Sequence, residues 1–318
     1  MKSLVQDRAT GDARALVLEG VDPVSQWAAM IRPRMALMVF FVTMAGGLIG
    51  HRYAPGTSSP WLRSAEAGLY LTLVTACASI LNQVLERDTD ALMERTRRRP
   101  LVTGTIAVRD ALFFGLIAGT LGVVGLALSF QMLSGFLALA TLVIYVGVYT
   151  PMKRVSTTNT VIGAIPGAAP PLIGFVALAG DTGPWAWVLF GVLFAWQFPH
   201  FMAIAWLYRA DYSRAGMRML PCIEDSKGVA GRYAVLYSLA LIPVSLLPVM
   251  SGMAGPIYAI GATVLGLAYL LASIAFLLHE ERRQARALMQ VSLLYVPLLI
   301  ILVLVDPSIS AASLDALS

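Results

Sequence analysis

The stretch Leu71–Gly104, LTLVTACASILNQVLERDTDALMERTRRRPLVTG, changes character partway along. It starts as an apolar run. From Asn82 onward it gathers the acids Glu86, Asp88, Asp90 and Glu94 and the arginines Arg87, Arg95, Arg97, Arg98 and Arg99. The whole chain has 318 residues, is 58% hydrophobic and 13% charged, and has a mean hydropathy of +0.75. In such a chain, an apolar run passing abruptly into dense charge marks a membrane span reaching water. A soluble domain of this length would need far more polar surface, so the fold class is an all-α polytopic membrane protein.

A hydrocarbon core of about 30 Å takes roughly 20 apolar residues in a helix. Nine segments meet that requirement, near residues 31–50, 66–85, 111–130, 132–150, 159–179, 184–206, 232–250, 255–278 and 287–305. The connections between several are short and leave no room for a separate soluble domain. The expected organisation is an N-terminal segment 1–30, one transmembrane domain 31–305 and a short tail 306–318. Basic residues favour cytoplasmic loops. With the N-terminus inside, only Arg52 and Arg63 of the 23 Lys and Arg residues fall outside, and the C-terminus, with Asp306 and Asp315, lies outside.

The net charge of +5 is therefore read as a topology signal, and nucleic acid is not an expected partner. The first residues mix Lys2, Arg8 and Arg14 with Asp7, Asp12, Glu19 and Asp22 and lack an apolar signal core. Cys77, in a span, and Cys222, in a loop, indicate neither a disulfide framework nor a metal site.

Polar chemistry collects in the inner connections: Glu86 to Asp110, the turn YTPMKRVSTTN containing Lys153, Arg154 and Asn159, and Tyr208 to Arg232. Three such places at one end of a bundle suggest one site at the membrane edge. Asn82, Glu86 and Asp90 follow at intervals of four, so on a continuing helix they share a face, with Asp88 pointing away. A carboxamide and two carboxylates offer hard oxygen ligands that suit Mg²⁺. The arginines beyond them supply guanidinium groups for phosphate. The plainer alternative is that these arginines anchor the span and the acids neutralise them. His200 lies within an apolar run, where a lone histidine more often packs than reacts, and Asp211 lies just past that span. The fifth span, TVIGAIPGAAPPLIGF, is rich in glycine and proline, which indicates close helix packing.

Three segments together, NQVLERDTDALMERTRRRPLVTG, YTPMKRVSTTNTVIGAIPGAAPPLIGF and WQFPHFMAIAWLYRADYSRAGMRMLP, resemble the haem O synthase (protohaem IX farnesyltransferase) branch of the UbiA-type intramembrane prenyltransferases. The resemblance implies nine helices around a central cavity in a bacterial cytoplasmic membrane, with a diphosphate site at its cytoplasmic mouth. It implies transfer of farnesyl from farnesyl diphosphate to haem B, with water, to give haem O. The first Asp-rich motif of that family maps onto Asn82, Glu86 and Asp90, with Glu86 where Asp is common. In the second motif, Asp211 is followed four residues later by Ala215 in place of a second aspartate, which thins that half of the Mg²⁺ shell. Lys153 and Arg154 match the basic pair associated with diphosphate, and Arg95 and Arg99 join them as candidates. For His200 the haem iron, a propionate and a reacting proton all stay open. The lipid bilayer is the medium, and a haem A synthase is the enzyme that would act next on the product. The rival readings are a prenyltransferase with a quinone-precursor or chlorophyll-type acceptor, and a transporter.

Overall fold

The computed structural model describes residues 22–222 and 227–310. Residues 1–21 of the expected N-terminal segment, residues 311–318 of the expected tail with Asp315, and residues 223–226 lie outside the described residues. The chain is all-α, and among the described residues there is no strand. Among the described residues, nine helices are long and apolar enough to cross a membrane.

The amphipathic helix α1 (Pro23–Ile31) precedes the spans, with the Asp22 side chain capping its first turn through Val24 N and Ser25 N. Arg32, in the left-handed region with φ 51°, turns the chain into α2 (Pro33–Tyr53). Then come α3 (Pro60–Leu85), the short α4 (Arg87–Asp90) and α5 (Pro100–Thr103), α6 (Val108–Ser129) and α7 (Met132–Met152). The second half holds α8 (Asn159–Ala179), α9 (Pro184–Leu207), the short α10 (Arg209–Arg214), α11 (Val229–Met250), α12 (Pro256–His279) and α13 (Arg282–Val305). The spans α2, α3, α9 and α12 each begin on proline, whose fixed φ and missing N–H suit a first helical position.

Two helices start well before the apolar runs that announce them. α3 begins at Pro60, not near 66, because Arg63 and Glu66 pair within its first turns. α13 begins at Arg282, not near 287, with Arg283 and Arg286 in its charged first turns. A turn of helix that projects past the hydrocarbon carries no apolar signal, so hydropathy does not see it.

α8 is the central post. It packs against α2, α7 and α9, while α6 lies against α3 and α7, and α11–α13 support α9 from behind. The glycines that suggested close packing set this arrangement. A Cβ on Gly174 of α8 would lie 2.0 Å from the Thr43 carbonyl oxygen of α2, and one on Gly46 would lie 2.1 Å from the Pro171 carbonyl oxygen. In a bilayer, apolar side chains gain little by leaving lipid, so close backbone approach is what holds helices together. Gly174→Ala is expected to destabilise the bundle by about 3 kcal/mol, because the atoms in the way are backbone and cannot rotate aside. A fall in the thermal midpoint in detergent checks this, and an unchanged midpoint would contradict the contact.

Candidate functional site

α3 ends at Leu85, and the backbone kinks at Glu86, with φ −96° and ψ 6°. The expected single helix is therefore broken. Its hydrogen bonds nevertheless continue across the kink, Glu86 N to Asn82 O at 2.9 Å and Asp90 N to Glu86 O at 2.7 Å. The three polar residues consequently keep one inward face: Asn82 is 0% exposed, Glu86 6% and Asp90 1%. Asp88 turns outward, with 91% of its side chain exposed beside Arg87.

A cavity of about 440 Å³ opens at this face and runs between α2, α3, α7, α8 and α9. Glu86, Asp90, Arg95, Arg99 and Lys153 line its charged mouth, and His200 lies on its wall. Deeper, the wall is apolar, with Val39, Val42, Leu71, Val74, Leu142 and Ile173. A polar mouth over an apolar tunnel fits an amphiphile whose charged head stays at the mouth.

Each carboxylate at the mouth meets a cation. Lys153 Nζ lies 2.9 Å from Glu86 Oε1, with both side chains largely buried, and also sits over the Tyr149 ring at 4.6 Å. Arg99 pairs with Asp90 through Oδ2, whereas Asp90 Oδ1 is buried and has no hydrogen-bond partner. Burial pushes the Asp90 carboxyl above the ordinary aspartate range; Arg99 pulls it back, and neighbouring Glu86 adds to the rise. Arg99 moves the other way, lowered by burial and by Arg32. For Lys153, burial acts downward, but Tyr149 and Glu86 more than offset it and leave the ammonium above the usual lysine value. The two carboxylates crowd each other and the arginines crowd one another, so both a cation and an anion would relieve the site. The orphaned Asp90 oxygen beside Glu86 fits a hard divalent cation. Among the described residues, no three His, Cys, Asp or Glu side chains converge as a ready metal cage.

Several nominated residues sit off the cavity wall. Asn82 is committed on both sides: its Oδ1 accepts from Arg32 at 3.4 Å, and its Nδ2 donates to Thr150 Oγ1 at 3.1 Å. Asp211 pairs with Arg214 and accepts from Arg95 N at 3.4 Å, behind the mouth. Arg154 is exposed and hydrogen-bonds Thr89 Oγ1. Ala215, at the thinned motif position, packs into a small cluster with Met93 and Met217.

Arg32 is the mouth cation that the reading of the sequence passed over. It lines the cavity, held by Asn82 from one side and placed by α1, which Gln83 Nε2 ties to α3 through Met30 O at 2.7 Å. In sequence it is one more basic residue at the start of a span. Only the left-handed turn at Arg32-Pro33 brings it over the site. Tyr145 and Tyr149 were missed as well. They reach the cavity from a π-helical stretch, Ile144–Tyr149, where Thr150 N bonds five residues back to Tyr145 O. Such stretches are common at functional sites and leave no mark in hydropathy.

The far wall is set by α9. His200 Nδ1 is 2.7 Å from Ser292 Oγ of α13, and its ring stacks on Trp196 with centroids 5.2 Å apart and an interplanar angle of 17°. Trp196 Nε1 donates to Ser292 O at 2.8 Å. The histidine is thus held in a fixed orientation at the cavity edge.

The model of the UbiA prenyltransferase family matches residues 32–296. A protein from Solibacter usitatus named protoheme IX farnesyltransferase is 40% identical over 286 residues, covering 87% of this chain and 97% of its own length. Among solved structures, one described in work on digeranylgeranylglyceryl phosphate synthase in membranes superposes with a TM-score of 0.73 at 17% identity, covering 90% of this chain and 98% of that one. A UbiA homologue from Archaeoglobus fulgidus bound to DMAPP and Mg²⁺ has a TM-score of 0.59 at 16% identity, covering 88% of this chain and 99% of that one. At those identities the structures speak to the fold.

Proposed function

This chain belongs to the UbiA prenyltransferase family, and from that premise we propose that it transfers the farnesyl group of farnesyl diphosphate to a vinyl group of haem B, with water, giving haem O and diphosphate. One observation carries the reading on the structural side: a single cavity joins a mouth of paired carboxylates and cations to an apolar interior and a fixed histidine. The relative from Solibacter usitatus supplies the identity of the acceptor and of the prenyl donor.

Glu86 and Asp90 are the residues that would hold Mg²⁺, with Asp211 behind them and Asn82 as orienter; the ion would neutralise charge on the departing diphosphate. Lys153, Arg99, Arg95 and Arg32 bind the diphosphate oxygens, and their charge stabilises the developing leaving group as the allylic C–O bond breaks. Arg154 supports this edge from outside through Thr89. The apolar walls keep bulk water from the farnesyl cation until the vinyl π electrons bond to it. Residues 31–305 form one catalytic membrane domain with its charged mouth toward the cytoplasm, the N-terminus inside, in a bacterial inner membrane. A haem A synthase would take the product onward.

An acceptor panel tests the function. Purified protein with farnesyl diphosphate and Mg²⁺ is offered haem B, a quinone precursor and a chlorophyll-type precursor, and products are weighed by mass spectrometry. The expected result is farnesylated, hydrated haem alone, falling to background when a chelator removes the metal. Farnesylation of another acceptor in its place would overturn the assignment, and activity unaffected by chelation would overturn the role given to Mg²⁺.

A further inference from the structure

Two side chains of α9, Gln197 and His200, line the cavity, and on each the hydrogen-bond donor is already engaged. Ser292 is fully buried, and its hydroxyl has a single hydrogen. That hydrogen goes to Met289 O at 2.6 Å, since a carbonyl can only accept. Ser292 Oγ therefore accepts from His200 at 2.7 Å, which makes Nδ1 the protonated nitrogen. The remaining ring nitrogen, Nε2, then carries a lone pair.

Gln197, one turn earlier and also lining the cavity, is arranged the same way. Its Nε2 donates to Ala164 O at 2.8 Å and Leu193 O at 3.2 Å, which fixes the amide so that Oε1 is the end left over. That oxygen occupies the space where Gly167 has no side chain, since a Cβ there would lie 2.3 Å from it. Residues three apart share a helix face, and both side chains line the same cavity, one turn apart on its wall.

We propose that Gln197 Oε1 and His200 Nε2 together hold the water that adds to the haem vinyl carbon, with His200 taking its proton and Ser292 as the positioning residue that fixes the histidine tautomer. Water is the reactant that brings two donors to two acceptors. Held through both hydrogens, it keeps its lone pairs free for a cation. This rests on the reading of the chain as a haem farnesyltransferase. The vinyl π pair bonds to the farnesyl carbon that has lost diphosphate, leaving positive charge on the vinyl carbon next to the porphyrin. The water oxygen supplies the pair for the new C–O bond, its O–H bond breaks, and that proton passes to His200 Nε2. Without the held water, the same cation sheds a proton and becomes an alkene, one water lighter.

The experiment compares wild type, Gln197→Met, Ser292→Ala and Ser292→Thr in oxygen-labelled water, with product haem analysed by mass. In Gln197→Met the labelled, hydroxylated haem is expected to fall at least about tenfold, with the dehydrated product taking its place and KM for farnesyl diphosphate staying within about twofold. Ser292→Ala is expected to follow in the same direction, and Ser292→Thr to restore the hydroxylated product. Wild-type proportions of labelled product in both Gln197→Met and Ser292→Ala would overturn the proposal. So would a His200→Ala protein that loses haem B binding in an absorbance titration while Gln197→Met hydrates normally, since His200 would then be an iron ligand. If one variant fails to fold, the other carries the comparison. Absence of any farnesylated haem from wild type would instead defeat the functional reading beneath it.

Discussion

Asp90→Asn is expected to lower haem farnesylation by roughly a thousandfold, within the range seen when a group stabilising a transition-state charge is removed. The substitution keeps the size of a buried side chain, 1% exposed, and takes away only its charge. Asp90 has one oxygen on Arg99 and one with no partner, and that second oxygen is the place assigned to the metal. An amide can direct its oxygen to only one of these, and its nitrogen would repel the other. The loss should appear in turnover of folded protein, so elution and thermal midpoint are compared alongside. Activity near wild type would remove Asp90 from the metal site.

Lys153→Ala comes next, with an expected loss of about a hundredfold, expressed mainly as a higher KM for farnesyl diphosphate. Lys153 is the one mouth cation supplied by the α7–α8 connection. Its position depends on three contacts: Nζ to Glu86, the face of Tyr149, and its own carbonyl accepting from Arg218 N at 2.8 Å. Removing it also leaves Glu86 without a counter-charge, so added Mg²⁺ is expected to recover more of the folded stability than of the substrate affinity. An unchanged KM would take Lys153 out of the diphosphate site. Arg154→Ala, by contrast, removes an exposed side chain on Thr89 and is expected to change KM by no more than a few fold.

The nine spans were legible because each is an apolar run of the right length, and the resemblance carried by the three quoted segments pointed to the family the chain proves to belong to. The interval of four put Asn82, Glu86 and Asp90 all in the interior, since the ladder bridges the kink at Glu86, but only Glu86 and Asp90 of the three line the cavity. What stayed hidden was placement across long separations. Nothing near Asn82 announces that its carboxamide is tied to Arg32 and Thr150, because those partners come from different helices. Similarly, Arg154 looks equivalent to Lys153 in sequence. A single residue of rotation at the end of α7 sends one into the cavity and the other to the surface. His200 could be flagged as an oddity in an apolar helix, but its tautomer depends on Ser292, 92 positions away.

The Asn82–Gly104 segment is proposed to hold a divalent cation against the diphosphate. Mn²⁺ replaces Mg²⁺ on oxygen ligands and is visible by electron paramagnetic resonance. Wild-type protein with Mn²⁺ and a non-reacting farnesyl diphosphate analogue should show bound metal with hyperfine coupling to phosphorus, and Asp90→Asn should lose that signal. Bound Mn²⁺ with the same phosphorus coupling in Asp90→Asn would contradict the account.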